Sequence, residues 1–195
     1  MERLTAVLCS RNRHKARELE ALLPGWTIEP LERDDYPPET GSTYYENAAL
    51  KARFGRRVTG GEAWVLAEDS GLEVTALGGR PGVLSARYAR EGVPAIEKLL
   101  VELVGIEHRA ARYVSELVLL GQDGRELRGG GVLEGRIATE PAGTEGFGYD
   151  PIFVPGGEEL TVAELGDAWK AEHSHRARAA HDLLRALSAA PATTS

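Results

Sequence analysis

The stretch Ala63-Trp64-Val65-Leu66-Ala67-Glu68-Asp69-Ser70-Gly71 joins a short apolar run to an abrupt series of polar residues. An apolar run of this length predicts a buried central strand over 63–67. We expect Glu68 and Asp69 to lie at the tip of this strand, where α/β folds place their ligand sites. Successive strand residues point to opposite faces, so only one of the two carboxylates is expected to face a given cleft.

Strands and helices alternate on both sides of this strand. The pattern of apolar residues predicts strands over 5–9, 26–31, 112–120 and 129–135, and helices over 13–23, 43–57, 94–104, from 161 onward and over 174–187. Thr43 and Glu46 form a capping-box pattern, and Pro37-Pro38 marks an exposed loop over 32–41. The glycines of 129–135 indicate a bulge or a close backbone approach. One α/β domain over 1–195 is therefore expected, with a frayed tail from about 188.

Composition restricts the function further. The chain has 195 residues, of which 42% are hydrophobic, and a net charge of −7, which argues against broad binding to nucleic acid. A phosphate site must then be local, and basic residues cluster around 11–15, at Lys51 and around 170–176. The single cysteine, Cys9, is expected to be a buried strand residue. No apolar run is long enough to span a membrane and no secretion signal is evident, so we expect a cytoplasmic protein.

A hydroxyl, an amide and a lysine lie at the start of the helix predicted over 13–23, in Ser10, Asn12 and Lys15. The free N–H groups and the dipole at such a helix end attract anions, so this segment is a candidate phosphate site. The alternative is that Ser10 or Asn12 caps the helix and that the basic residues of the turn, including Arg11, are solvated.

The carboxylate of Asp69 is a candidate magnesium ligand. Magnesium commonly takes one or two carboxylates from a protein and completes its coordination with water and substrate phosphate oxygens. The alternative is a turn in which Asp69 and Ser70 only satisfy local hydrogen bonds.

Two segments of the C-terminal half could bind a base. In Gly146-Phe147-Gly148-Tyr149-Asp150 the glycines leave the ring of Phe147 open for stacking, although a core aromatic in an irregular turn is the alternative, and the one favoured for Tyr149. Ser174-His175-Arg176 begins the last helix with donors that could bind a base edge, and Lys170 lies one turn upstream. The alternative for this segment is an exposed cap with solvated basic residues.

Taken together, these motifs resemble the family of inosine and xanthosine triphosphate pyrophosphatases, which remove non-standard purine nucleotides. The resemblance spans nearly the whole chain and depends on six motifs in the order of that family: Ser10-x-Asn12-x-x-Lys15, Glu46-Asn47-Ala48-x-x-Lys51-Ala52, Asp69-Ser70-Gly71-Leu72, Leu77-Gly78-Gly79-x-Pro81-Gly82-Val83-x-Ser85-Ala86-Arg87-Tyr88, Gly146-Phe147-Gly148-Tyr149-Asp150-Pro151-x-Phe153, and Lys170 with Ser174-His175-Arg176. It implies an elongated α/β fold with a long twisted mixed sheet, flanking helices, two lobes around a central cleft, and a homodimer. It also implies magnesium-dependent hydrolysis of ITP, dITP or XTP to the monophosphate and pyrophosphate.

The resemblance also assigns residues. Asp69 corresponds to the carboxylate that holds magnesium and accepts a proton from the attacking water, and Glu68 is its supporting acid. Three residues correspond to ligands of the triphosphate, Asn12, Lys15 and Lys51, and the substrate-binding residue Ser10 lies beside them. The other substrate-binding residues are Ser70, Phe147, Gly148, Tyr149, Asp150, Lys170, His175 and Arg176. Within that set, the resemblance implies that Phe147 stacks on the base and that His175 and Arg176 contact it.

One position departs from the family pattern. Many relatives carry an acidic residue three positions before the glycine that matches Gly41, and this chain has Pro38 there, with Glu39 as the nearest substitute. Three other functions stay open: a pyrophosphatase for modified pyrimidine nucleotides, a nucleotide-binding regulator without catalysis, and a structural α/β domain.

Overall fold

A computed structural model describes residues 3–10, 12–89 and 94–189 of the chain. Within these ranges it has six strands: β1 (Leu4–Cys9), β2 (Trp26–Pro30), β3 (Trp64–Val74), β4 (Ala110–Leu120), β5 (Glu126–Ile137) and β6 (Phe153–Pro155). The α-helices of the same ranges are α1 (Arg13–Leu22), α2 (Tyr44–Val58), α3 (Ala95–Glu102), α4 (Val162–His173) and α5 (His175–Ala189).

The six strands form one sheet in the order β2-β1-β3-β4-β5-β6. β1 pairs in parallel with β2 and with β3, whereas β6 pairs antiparallel with β5. The sheet is therefore mixed, and the predicted α/β class with flanking helices is confirmed. The elongated shape, the two lobes and the cleft stay predictions.

The central strand is longer than predicted. β3 continues through Glu68 and Asp69 to Val74, so the prediction that these two carboxylates lie at the tip of the strand is wrong. Glu68 is 0% exposed and Asp69 is 5% exposed. Polar residues often end a strand because they need water, but these two carboxylates find charged and amide partners inside the protein, so the strand can continue through them.

Contacts within the chain divide it into two compact units. The first unit comprises Met1–Asp69, Ser115–Gly131 and Arg176–Ser195, and the second comprises Ser70–Val114 and Val132–His175. The expectation of a single domain over 1–195 stays a prediction.

In the first unit, apolar residues pack on both faces of the strands. On one face, α1 and α5 bury Leu19 and Leu183 against β1, β3 and β4. On the other face, α2 lies close to β1, because a Cβ at Gly55 would come within 2.1 Å of the sulfur of Cys9. Cys9 is buried, and burial raises the pKa of its thiol to about 12, which agrees with its predicted structural role.

In the second unit, the far ends of β3, β4 and β5 form a core with α3 and α4. This core includes Leu72, Leu99, Leu133, Phe153 and Val162, all of them buried.

Most helix ends lie close to their predicted positions. Thr43 caps α2 and Thr161 caps α4, each in a complete capping box with the glutamate three residues later. The close backbone approach predicted for 129–135 is present, because a Cβ at Gly129 would come within 2.2 Å of the Ala179 carbonyl oxygen in α5. α5 ends at Ala189, and the rest of the predicted tail lies outside the described residues. Among the described residues, none of the helices combines the length and the apolarity that crossing a membrane would need.

Candidate active site

Asp69 and Lys51 form a buried ion pair in the first unit. The Nζ of Lys51 lies 2.7 Å from Oδ1 of Asp69 and 2.7 Å from Oε1 of Glu39. Asn47 donates its side-chain N–H to Oδ2 of Asp69 at 3.2 Å, and its own Oδ1 accepts the backbone N–H of Gly41 at 2.8 Å. Two carboxylates from separate segments thus converge on one ammonium group, and an amide fixes the second oxygen of Asp69.

Helix α2 supplies two of these contacts because of its periodicity. Asn47 and Lys51 are four residues apart, so they lie on the same face of the helix and both reach β3. Glu39 comes from the loop before the helix, which is held close by the bond between Gly41 and Asn47. The loop predicted over 32–41 therefore carries one of the two carboxylates that contact Lys51.

The neighbouring residue of β3 has a different set of partners. Oε1 of Glu68 accepts hydrogen bonds from the hydroxyl of Ser115 at 2.9 Å and from the guanidinium of Arg176 at 3.0 Å. Its Oε2 lies 3.0 Å from the Nζ of Lys15 in α1. Arg176, which is 2% exposed, also pairs with Glu18. The expectation that Glu68 and Asp69 face different surroundings agrees with these contacts. We call Lys15, Glu39, Lys51, Glu68, Asp69 and Arg176 the acid–lysine cluster.

Burial and charge shift the ionisation of this cluster. Burial raises the pKa of Asp69 above its ordinary value, although Lys51 opposes the effect. Burial alone would lower the pKa of Lys51, but the charges of Asp69 and Glu39 outweigh it and raise the value. Lys15 behaves differently, because burial lowers its pKa more than Glu68 raises it. Lys51 therefore holds its proton firmly, whereas Lys15 loses its proton more readily than an exposed lysine.

The turn before α1 is capped by Asn12. Its Oδ1 accepts the backbone N–H groups of His14 at 2.9 Å and Lys15 at 3.4 Å, and the hydroxyl of Ser10 accepts the N–H of Asn12 at 3.1 Å. The capping role weighed for Asn12 is therefore present, and the contact of this turn with phosphate stays a prediction. Arg11 lies outside the described residues.

The second unit holds a cluster built around Asp150. Oδ2 of this carboxylate, which is 4% exposed, accepts the backbone N–H of Phe147 and the Nζ of Lys170, both at 2.9 Å. The same Nζ lies 4.6 Å from the centre of the Phe147 ring. Gly146, at φ 76°, permits this turn, since a Cβ there would come within 2.2 Å of Oδ2 of Asp150. The phenylalanine ring itself is half-buried.

His175 adds a ring to this cluster. It stacks on Tyr113 of β4, with ring centres 4.6 Å apart and planes inclined by 12°. The hydroxyl of Tyr113 donates to Oδ1 of Asp150 at 3.2 Å. We call Tyr113, Phe147, Asp150, Lys170 and His175 the aromatic cluster.

The predicted residues thus gather in two groups. Lys15, Lys51, Asp69 and Arg176 lie in the acid–lysine cluster, and Phe147, Asp150, Lys170 and His175 in the aromatic cluster. Ser70 follows Asp69 in β3 and is half-buried, and Gly148 is an exposed residue at φ 65° beside Phe147. Tyr149 is in the core, as the alternative for it had predicted, with its hydroxyl donating to the Ser85 carbonyl at 2.9 Å.

Sequence reasoning missed Tyr113 of the aromatic cluster and two partners of the acid–lysine cluster, Glu18 and Ser115. Glu18 follows Lys15 by three positions, so helical spacing already places both on one face of α1. Ser115 and Tyr113 alternate along β4, and their partners lie far away in the chain, so no local pattern indicates either role.

The acid–lysine cluster offers a donor set suited to magnesium. One carboxylate oxygen of Asp69 and one of Glu39 each lie 2.7 Å from the Nζ of Lys51, so the two carboxylates are close to each other. No group of three or more histidine, cysteine or acidic side chains able to hold a metal occurs in the part of the chain that the structure describes. Two carboxylates suit magnesium, which takes its other ligands from water and phosphate, better than zinc, which is usually held by three or four protein ligands, mostly histidine and cysteine.

Buried, charge-shifted carboxylates and lysines are typical of a protein whose interior serves a chemical site. A family model described as the Ham1 family matches residues 6–186 of the chain. The chain therefore belongs to the Ham1 family.

Individual relatives agree with this assignment. A dITP/XTP pyrophosphatase of Deinococcus radiodurans is 45% identical over 184 residues, covering 92% of this chain and 91% of the relative. A dITP/XTP pyrophosphatase of Thermus thermophilus is 44% identical over 199 residues, covering 96% and 94%. The solved structure of the Staphylococcus aureus Ham1 protein superimposes with a TM-score of 0.80 at 37% identity, covering 94% of this chain and 97% of that one. A nucleoside-triphosphatase / dITP/XTP pyrophosphatase of Mycobacterium abscessus gives a TM-score of 0.73 at 42% identity, covering 93% and 99%.

Proposed function

We propose that this protein is a nucleoside triphosphate pyrophosphatase that hydrolyses ITP, dITP and XTP to the monophosphate and pyrophosphate, with magnesium as its cofactor. One observation carries the proposal: Asp69 lies buried between an ammonium group and an amide, in a chain whose relatives are dITP/XTP pyrophosphatases. A carboxylate held in this way can accept a proton without leaving its position.

In this proposal the acid–lysine cluster acts on the triphosphate. Asp69 accepts the proton of a water molecule that attacks the α-phosphorus, and Asn47 holds the carboxylate in orientation. Lys15 and Lys51, with Ser10 and Asn12, bind the phosphate oxygens and stabilise the charge that grows on pyrophosphate as it leaves.

Magnesium would be held by Asp69 and Glu39. Glu39 would take the role of the acidic residue that many relatives carry at the position of Pro38. When bound, the ion neutralises phosphate charge and favours ionisation of the attacking water. The fit is supported by the two carboxylate oxygens that converge on Lys51. Lys51, whose ammonium group contacts both carboxylates, would be the donor to the phosphate oxygens beside the ion.

The aromatic cluster binds the purine in this proposal. Phe147 stacks on the base, and a donor of His175 binds the 6-oxo oxygen that hypoxanthine and xanthine share, while the contact of Arg176 with the base stays a prediction. Adenine carries an amino group there, so it would leave buried donors without an acceptor and is rejected. We further propose that the protein acts in the cytoplasm as a homodimer and binds neither nucleic acid nor membranes; the net charge of −7 supports the absence of nucleic-acid binding.

A substrate panel tests the proposal. ITP, dITP, XTP, ATP, GTP and modified pyrimidine triphosphates are incubated with the protein, with magnesium or with a chelator, and pyrophosphate and monophosphate are quantified. We expect release from ITP, dITP and XTP only with magnesium, and readdition of the ion should restore it.

Other outcomes of the panel would contradict the proposal in different ways. A preference for modified pyrimidine nucleotides would replace the substrate class. Binding of ITP without release of pyrophosphate would indicate a regulator, and the absence of any ligand-dependent thermal shift would indicate a structural domain.

A further inference from the structure

Tyr113 connects two residues of the aromatic cluster that are distant in the chain. It lies on β4, is 6% exposed and contacts Asp150 through its hydroxyl and His175 through its ring. Neither the sequence motifs nor the proposed reaction gives it a role.

The ring of Tyr113 fixes the plane of His175. The ring of Tyr113 packs against the core residue Phe153, with ring centres 4.5 Å apart and planes inclined by 43°. The imidazole of His175 lies at 4.6 Å and is nearly parallel to the tyrosine ring. Stacked rings resist rotation because tilting either ring loses contact area. The plane of the His175 ring is thus held against a residue of a sheet strand, and sites on strands and helices are more precise than sites on loops.

The hydroxyl of Tyr113 fixes the Asp150 carboxylate. Oδ1 accepts this hydroxyl at 3.2 Å, while Oδ2 accepts the Phe147 N–H and the Lys170 ammonium. With both oxygens engaged, the carboxylate has little freedom to rotate. Because Oδ2 holds the backbone of Phe147, the position of that ring also depends on the tyrosine.

We infer that Tyr113 is a positioning residue for base selection, which sets the orientation of His175 by stacking and that of the Phe147 turn through Asp150. The inference depends on the proposed function in one respect, that the aromatic cluster binds the purine. Tyr113 itself touches no reacting atom, so its loss should change KM and base preference and leave kcat with ITP nearly unchanged.

Two substitutions separate the ring from the hydroxyl. Tyr113→Phe keeps the stack and removes the hydrogen bond to a carboxylate, so KM for ITP should rise roughly tenfold while the preference for ITP over ATP is kept. Tyr113→Leu removes both, so KM should rise and the preference for ITP over ATP should also fall, by roughly tenfold or more. Tyr88→Phe is the matched control, since Tyr88 is another buried tyrosine of the second unit that donates to a carboxylate, Glu102.

A nuclear magnetic resonance measurement reports the stack without any substrate. The signals of the His175 ring protons are identified among those of the five histidines by their absence in a His175→Gln variant. In the wild-type protein and in Tyr113→Phe these signals should be shifted upfield, because the protons lie over an aromatic ring. The shift should disappear in Tyr113→Leu. Thermal unfolding of each variant shows whether it is folded.

The outcomes separate the inference from the proposed function. A His175 resonance that does not move in Tyr113→Leu, or an unchanged ITP preference in a folded Tyr113→Leu variant, would overturn the inference. Failure of the wild-type protein to release pyrophosphate from ITP would overturn the proposed function and, with it, the role in base selection, and the His175 resonance would then decide only whether Tyr113 orients that ring.

Discussion

The acid–lysine cluster and the aromatic cluster are both buried and both contain a lysine–aspartate pair, but they surround that pair differently. Lys51 and Asp69 lie among further charges, so a change in one group alters the pKa of the others. Lys170 and Asp150 lie among rings, and their pair fixes a turn of backbone. In the proposed function this difference corresponds to a division of tasks, in which the acid–lysine cluster handles protons and phosphate charge and the aromatic cluster presents flat surfaces to a base.

The largest effect is expected in the acid–lysine cluster. Asp69→Asn keeps the shape of the side chain and removes its charge, so turnover of ITP should fall by about 10²–10⁴-fold, the usual contribution of a positioned base. Circular dichroism and the unfolding midpoint should show a folded protein. Asp167→Asn, at an exposed aspartate of α4, is the control and should retain full activity. Near-normal turnover in Asp69→Asn would remove its assigned role.

Arg176 tests whether this cluster also supports the fold. Arg176→Ala leaves Glu68 buried without its guanidinium, and breaking a buried pair in this way costs about 3–5 kcal/mol of unfolding free energy. Arg185→Ala, on the same helix, removes an ion pair whose arginine is 80% exposed and should cost less than about 1 kcal/mol. Urea denaturation of both variants makes the comparison. Equal losses would show that the burial of Arg176 contributes nothing to stability.

Phe147 tests the second half of the comparison. Phe147→Leu removes a stacking surface worth about 1–3 kcal/mol, which corresponds to a rise in KM of roughly 5- to 150-fold. Stacking does not distinguish bases, so ITP and ATP should be affected alike, and kcat should stay near its wild-type value. Steady-state kinetics with both nucleotides measure this. A fall in kcat with KM unchanged would place Phe147 in the chemistry.

The smallest effect concerns pH. Burial lowers the pKa of Lys15, so its charge is fully present below that lowered value and is lost as pH rises through it. Affinity for the triphosphate should therefore fall at a lower pH than for an exposed lysine, and Lys15→Arg should move the alkaline limb of kcat/KM upward because arginine stays charged. Loss of stability does not cause this alkaline limb. Between the lowered pKa of Lys15 in the folded protein and its ordinary pKa in the unfolded chain, the unfolded chain binds more protons, so the folded protein becomes more stable as pH rises. An alkaline limb that Lys15→Arg leaves in place would contradict this assignment.

Much of the fold could be predicted because its signals are local. The spacing of apolar residues along α1 and α5 and the capping box of α2 each depend on a few neighbouring residues. The end of β3 could not be predicted, since it depends on partners that are remote in the chain. Glu68 meets Ser115 across 47 residues and Arg176 across 108 residues, and no local pattern shows that such partners will arrive.

The candidate site shows the same limit. Residue types and motif order predict candidate side chains, but they do not indicate that Arg176 pairs with Glu68 and Glu18, or that Glu39 reaches Lys51. These contacts depend on how two helices and a loop pack on β3. Tyr113 was missed for a related reason, because a tyrosine inside an apolar strand gives no signal of its polar contact with Asp150.

The most direct test of the division of tasks is the ratio of kcat/KM for ITP to kcat/KM for ATP, measured in parallel for the wild-type protein, Asp69→Asn and His175→Ala. We predict that Asp69→Asn lowers both values and leaves the ratio unchanged, whereas His175→Ala lowers the ratio and leaves kcat for ITP near its wild-type value. A ratio that changes in Asp69→Asn and stays constant in His175→Ala would contradict the account.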